Sequence, residues 1–176
     1  MKATRRQARE WAVQMLTAAD MNPPEDILEF RINFWRQIKS LDDSEGGSEG
    51  KAVRGGLKDF TEDRFLGVMK DKDAIDAAIT PFMEGWDLVR LGSVERAVLR
   101  MAVWELRETG IPSAIIINEA VDLINWYASP KGRLLINSVL DRYAKSIEGE
   151  RAGRVAEEEE RAKARALKNK EKKIGE

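Results

Sequence analysis

Trp86–Arg107, WDLVRLGSVERAVLRMAVWELR, holds the densest apolar run in the chain and its clearest helix limits. Gly92 breaks the preceding segment, Ser93 is placed to cap a helix by accepting a backbone N–H, and Gly110-Ile111-Pro112 forbids much continuation. The spacing therefore predicts a helix over residues 94–108. At roughly 100° per residue, Arg96, Arg100 and Arg107 share one narrow arc. Val94, Ala97, Val98, Leu99, Met101, Ala102, Val103, Trp104 and Leu106 cover most of the remaining circumference. A helix apolar nearly all round is a buried one, and this one is too short and too often interrupted by charge to cross a bilayer. It is expected to be the central strut of an all-α domain.

The flanking segments carry helical spacing that could pack on such a strut. Residues 4–20 place Ala8, Trp11, Ala12, Met15, Leu16 and Ala19 on one face. Asn22-Pro23-Pro24 ends that helix, and Ile27, Leu28, Phe30, Ile32, Phe34, Trp35, Ile38 and Leu41 mark the next. The glycine- and serine-rich stretch 42–56 reads as a flexible loop. From Lys58 to about Glu84 the apolar pattern returns, with Gly67 allowing a neighbouring helix to approach, KDKD at 70–73 as a bend, and Pro81 as a kink or terminus. Pro112 opens a helix to about Ala128, in which Asn118 and Glu119 read as hydrogen-bonded interior groups. Ser129-Pro130 restarts a helix to about Ile147, with Leu135, Ile136, Val139, Leu140 and Tyr143 facing inward.

At Ile147 the composition changes. Residues 148–176 hold 17 charged side chains in 29 positions, with Val155, Leu167 and Ile174 as the large apolar groups. Such a segment has little to bury and reads as a charged, partly helical, mobile tail. Removing it is expected to leave the thermal midpoint of the 1–147 domain nearly unchanged.

The 176-residue chain has a formal charge of −1, which hides a local asymmetry. Lys2, Arg5, Arg6 and Arg9 make residues 2–9 a +4 arm on a chain otherwise at −5. Three of these cations stand in the first turn of the first helix, where they oppose the macrodipole at a cost of up to ~1 kcal/mol each. A local rule broken three times in one turn suggests an anionic partner. The arginines precede or flank the apolar stripe, so their loss is expected to spare folding. Cysteine and histidine are absent from the sequence, which removes thiolate chemistry, the commonest general base and the commonest metal ligand. The expectation is a non-enzymatic protein without a cofactor or metal. The sequence has neither a secretory leader pattern nor an apolar run of membrane length, so the cytoplasm is the expected location.

Four blocks in order, RRQARE-AVQML at 5–16, VERAVLRMAVWEL at 94–106, IPSAIIINEAVDL at 111–123 and LINSVLD at 135–141, resemble the NusB family of transcription antitermination factors. The resemblance spans about 1–147 and implies an all-helical fold of two small bundles. It further implies binding of the boxA element of ribosomal RNA transcripts together with the ribosomal protein NusE, within the RNA polymerase antitermination complex. Lys2, Arg5, Arg6 and Arg9 map onto the family's arginine-rich RNA-binding motif. Leu135 and Asn137 map onto its second RNA-contacting segment, and Glu95 onto an acidic residue that meets NusE. The chain departs from the family pattern at Gln7, at Thr17 near the partner surface, at Leu135 where an aromatic is usual, and at Ser138 in place of glycine. Without the aromatic, a base-stacking contribution of ~1–3 kcal/mol would be missing. The same resemblance accommodates a protein–protein adaptor of this fold that has lost boxA binding, or an accessory to ribosomal RNA modification. It leaves both a monomer and a homodimer open.

Overall fold

A computed structural model describes residues 4–44, 55–125 and 127–174. The glycine-rich loop expected at 42–56 falls largely on residues 45–54, outside the described residues. Seven α-helices are present among the described residues: α1 (Arg5–Met21), α2 (Ile27–Ser44), α3 (Gly55–Ile79), α4 (Ser93–Glu108), α5 (Ser113–Ile124), α6 (Pro130–Ser146) and α7 (Glu148–Ile174).

Local chemistry sets their limits. Thr4 caps α1 by accepting the Gln7 N–H through its hydroxyl, and the Asp26 carboxylate accepts the N–H groups of Leu28 and Glu29 at 2.7 and 3.0 Å. Within α3, Asp71 leaves helical geometry (φ −107°, ψ 17°), inside the KDKD patch expected to bend. Pro81 lies in a 3₁₀ turn, Thr80–Phe82, and so marks a terminus. Glu84 and Gly85 reverse the chain with φ of 47° and 81°, and a second 3₁₀ turn, Leu88–Arg90, leads to α4. Ser93 is not the cap that its position suggests: α4 begins there, and Gly92 takes the cap position. The exposed Gly92 N–H is satisfied by Glu95, whose Oε2 accepts it at 2.8 Å.

α4 is the shared strut. It packs on α1 and α3 along one side and on α5 and α6 along the other, giving two small bundles with one element in common. Leu99, Met101 and Leu106 of α4 are fully buried, as are Met15, Phe65, Ile75, Ile116, Ile136 and Leu140 from the surrounding helices. Each such side chain contributes about 1.5–3 kcal/mol through removal from water. Gly67 lets α3 close on α4, since a Cβ there would collide with the Trp104 indole. α2 lies on the outside of the first bundle through Phe30 stacked on Phe65 (centroids 5.4 Å apart) and Trp35 edge-on to Trp11 (5.6 Å).

The segment beyond Ile147 departs from the expected mobile tail. α7 begins directly after α6, and its first turns dock on the end of the strut. Arg151 is buried and donates to the carbonyls of Leu106 and Ile111, the latter at 2.6 Å. A cation at the C-terminus of α4 satisfies acceptors that the helix leaves unpaired and complements its dipole. Gly110 fits beneath α7 because it has no side chain: a Cβ would meet the Arg154 carbonyl and the Glu158 side chain. Charge composition concealed this anchor, because docking here uses a guanidinium on backbone carbonyls instead of an apolar stripe.

Candidate nucleic-acid interface

The arginine-rich arm divides between the exposed first residues of α1 and the covered turn that follows. Arg5 and Arg6 are exposed at the start of α1. Arg6 forms surface pairs, at 3.2 Å to Asp122 of α5 and at 3.9 Å to Glu10 one turn on. Arg9, one turn further along the same face as Arg5, is 4% exposed. Its Nε donates to both carboxylate oxygens of Glu105, at 3.0 and 3.2 Å, and its Nη1 lies 3.7 Å from Glu119. Arg64 of α3 completes the cluster with a 2.7 Å bond to Glu105, which is 1% exposed. Phe60 covers the group, with the Arg64 guanidinium 3.1 Å from its ring centroid. Burial pulls the Arg64 guanidinium below its ordinary value, against the opposing pull of Glu105. The expectation that Arg9 merely flanks the core is therefore corrected: its guanidinium is buried and paired with Glu105 inside the fold. Lys2 lies outside the described residues.

Arg64, Glu105 and Phe60 do not stand out in the sequence as site residues. The signal is present in Glu105, which stands about 180° from Arg96 on the helical wheel, alone on the apolar side. An acid there requires a buried cation, and two answer it.

A second cluster fixes the other end of α1. Asp20 accepts from Arg96 at 2.7 and 3.0 Å and from Arg100 at 2.8 Å, while Arg100 also forks onto Asp76 of α3 at 2.7 and 2.8 Å. Burial pushes the Asp20 carboxyl up, but the bonds and charges of Arg96 and Arg100 outweigh it and hold the group below its ordinary value. The arginine arc on the strut thus joins three helices.

The remaining candidate residues separate in the same way. Leu135 is 8% exposed and packs in the core. Its remaining exposed edge lines a cavity shared with Trp86, Lys131 and Leu134. Asn137 is exposed on α6. Glu95 is half-buried, with one oxygen on the Gly92 N–H and the other against Gly132 at the start of α6. Asn118, expected inside, is exposed, whereas Glu119 turns toward Arg9.

Two of the roomier open cavities adjoin α1. One, of about 550 Å³, runs between α1, α4 and α5 and is lined by Val13, Thr17, Met21, Val94, Leu123 and Tyr127 with Arg6 and Asp122 at one end. The other, of about 520 Å³, is walled by Arg5, Arg6 and Arg9, by Pro112 and Ile115 of the α4–α5 region, and by Glu158 and Glu159 of α7. No group of three acids that could hold a metal ion occurs among the described residues, and no helix there is long and apolar enough to cross a membrane.

The profile of the NusB family matches residues 6–145, which span α1 from its second residue through α6 to its penultimate one. The chain belongs to the NusB family. The transcription antitermination protein NusB of Nitratiruptor sp. is 37% identical to it over 82% of this chain and 94% of that protein, and that of Helicobacter pylori is 34% identical over 82% and 95%. Among solved structures, NusB of T. maritima superposes with a TM-score of 0.65 at 26% identity, covering 82% of this chain and 93% of that one. A chain from a crystal structure of a plectonemic RNA supercoil gives a TM-score of 0.62 at 26% identity, covering 81% and 94%. The NusB family consists of non-enzymatic transcription antitermination factors, and membership implies RNA and the antitermination complex as partners. α7 begins beyond the stretch that the NusB profile matches.

Proposed function

We propose that the protein binds boxA-type single-stranded RNA of ribosomal RNA transcripts together with NusE in the cytoplasm, as a component of the RNA polymerase antitermination complex. The observation that carries this reading is the pair Arg5 and Arg6, exposed at the head of α1 against the dipole and walling an open cavity. Two guanidiniums there neutralise phosphates and release counterions, which gives affinity without sequence preference. Asn137 supplies an exposed donor and acceptor for the edge of an unpaired base. Lys2 is a further candidate phosphate contact on the same arm.

NusE is assigned to the groove between α1, α4 and α5, whose apolar lining at Val13, Met21, Val94 and Tyr127 suits a protein surface. Thr17 lines this groove and Glu95 stands beside it on the same end of α4. With Arg9 and Leu135 turned inward, the RNA surface of this chain alone is small. Specific binding thus requires the second subunit to hold the same strand.

The test is a titration of a boxA-like RNA and a scrambled control, with and without NusE from the same source. The expected result is weak, salt-dependent binding of both RNAs by the protein alone and selective tightening on the boxA-like RNA with NusE. Tight NusE binding with no RNA affinity in either condition would instead establish an adaptor that has left RNA recognition to its partner.

A further inference from the structure

α7 lies outside the stretch matched by the family profile, yet it forms one wall of the arginine-lined cavity. Its sequence from 157 to 160 is Glu-Glu-Glu-Glu, and the two members that line the cavity are Glu158 and Glu159. Glu157 points elsewhere and pairs with Arg161 of its own helix at 4.0 Å. Among the described residues, neither Glu158 nor Glu159 reaches an ion-pair distance from Arg5 or Arg6. They face these cations across open space of about 520 Å³.

The wall is held in place. Arg151 is buried against the Leu106 and Ile111 carbonyls, and Gly110 admits the backbone of α7 where any side chain would collide with it. The Arg151 anchor lies two turns before the glutamates, so the position of the carboxylates is fixed relative to the head of α1.

We propose that α7 is an intramolecular anionic shield: Glu158 and Glu159 occupy the rim of the arginine cavity and lower its affinity for RNA phosphates. A strand approaching Arg5 and Arg6 meets two fixed carboxylates of its own sign. The cations retain enough field to hold a strand that a second contact also holds, whereas a strand bound at the cavity alone is released. The shield therefore raises the dependence of RNA binding on a partner. This inference rests on the reading of Arg5 and Arg6 as phosphate contacts.

The full-length chain is compared with the E158Q/E159Q variant, with E157Q/E160Q as a control of equal charge change away from the cavity, and with R5A/R6A, each titrated with a boxA-like single-stranded RNA across a salt series. E158Q/E159Q is expected to bind roughly two- to fivefold more tightly at low salt, as for unit charges separated by a solvated gap. The gain should vanish near 1 M salt, where the screening length falls to about 3 Å. E157Q/E160Q should show less than half of that gain. In an R5A/R6A background the glutamine pair should give none. Weakening by R5A/R6A together with wild-type affinity in E158Q/E159Q overturns the shield and leaves the phosphate contacts standing. Equal gains in the two glutamine variants also overturn it, since net charge alone would then account for the effect. Unchanged affinity in R5A/R6A removes the phosphate reading and the shield with it. The single E159Q variant, at an exposed position, gives the same answer free of any folding effect.

Discussion

Arg6 and Arg9 stand three residues apart in one arginine-rich run, and the fold gives them opposite roles. Arg6 lies on the outer side of α1, with its side chain 49% exposed and paired only to surface acids. Arg9 lies on the inner side, 4% exposed, where with Arg64 it neutralises the buried Glu105. The two side chains share chemistry and stand only about 60° apart around the helix. What covers each position, Glu105, Arg64 and Phe60 at Arg9 against surface acids at Arg6, therefore separates a group free to meet a ligand from one that closes a core. A basic run on an amphipathic helix should therefore be read residue by residue.

The contrast is broken most directly by Arg9→Ala. It strips one of two cations from a buried carboxylate, and since Arg64 retains its bond, the cost is expected at the lower end for a broken buried pair, about 3 kcal/mol. Chemical denaturation with an unchanged m-value would measure it. A loss below about 0.5 kcal/mol, the range of ordinary surface substitutions, would mean that Glu105 does not need its second partner.

Asp20 carries the same logic to the other end of α1. Asp20→Asn removes the charge shared by Arg96 and Arg100 and should cost about 2 kcal/mol near neutrality. The carboxyl is held below its ordinary value in the folded state, so the stability it contributes is fully present above the unfolded-state value of about 3.9 and is lost as pH falls through the lowered folded value. The difference in stability between wild type and variant should be flat from about pH 7 to 5 and shrink below about 4. A difference that grows on acidification contradicts the assignment.

Most of the architecture was legible because periodicity reports burial. The strut, the α1 stripe and the break near Pro81 follow from apolar spacing and backbone restriction, which act locally. What escaped was long-range and polar. Glu105 bonds to residues 96 and 41 positions away, and no local pattern announces such partners. Leu135 is legible as an inward residue from its spacing, and the structure buries most of it, whereas the family pattern points to an RNA contact there. For α7, high charge reads as freedom, although a single arginine aimed at unpaired carbonyls is enough to anchor a helix end.

That anchor is the next test. Arg151→Ala leaves the Leu106 carbonyl at the end of α4 and the Ile111 carbonyl beyond it without this donor and should cost about 1.5 kcal/mol, as for a hydrogen bond to a charged group. Truncation after Ile147 should cost at least as much, where composition alone predicts no change. Hydrogen exchange at the amides of Thr109 and Ile111 offers a local readout. Protection there that survives both changes would mean that α7 rests on the bundle without stabilising it.

The smallest expected effect on folding sharpens the comparison from its other side. In the Arg5→Ala/Arg6→Ala double variant, Arg6 loses exposed pairs to Glu10 and Asp122, each worth ~0–1 kcal/mol. Removing two cations from a helix N-terminus meanwhile relieves a dipole penalty of about 0.3–1 kcal/mol apiece. The two terms offset, so stability should change by less than about 0.5 kcal/mol, the range of neutral surface substitutions. RNA binding has no such compensation. Removal of each arginine–phosphate pair should lower the slope of log affinity against log salt by about 0.7 on a single strand, for a total near 1.4. Stability and salt slope measured on the same preparation separate the two arginine classes: Arg9 moves the first, and Arg5 with Arg6 moves the second. A double variant that loses stability while keeping its salt slope would reverse these assignments.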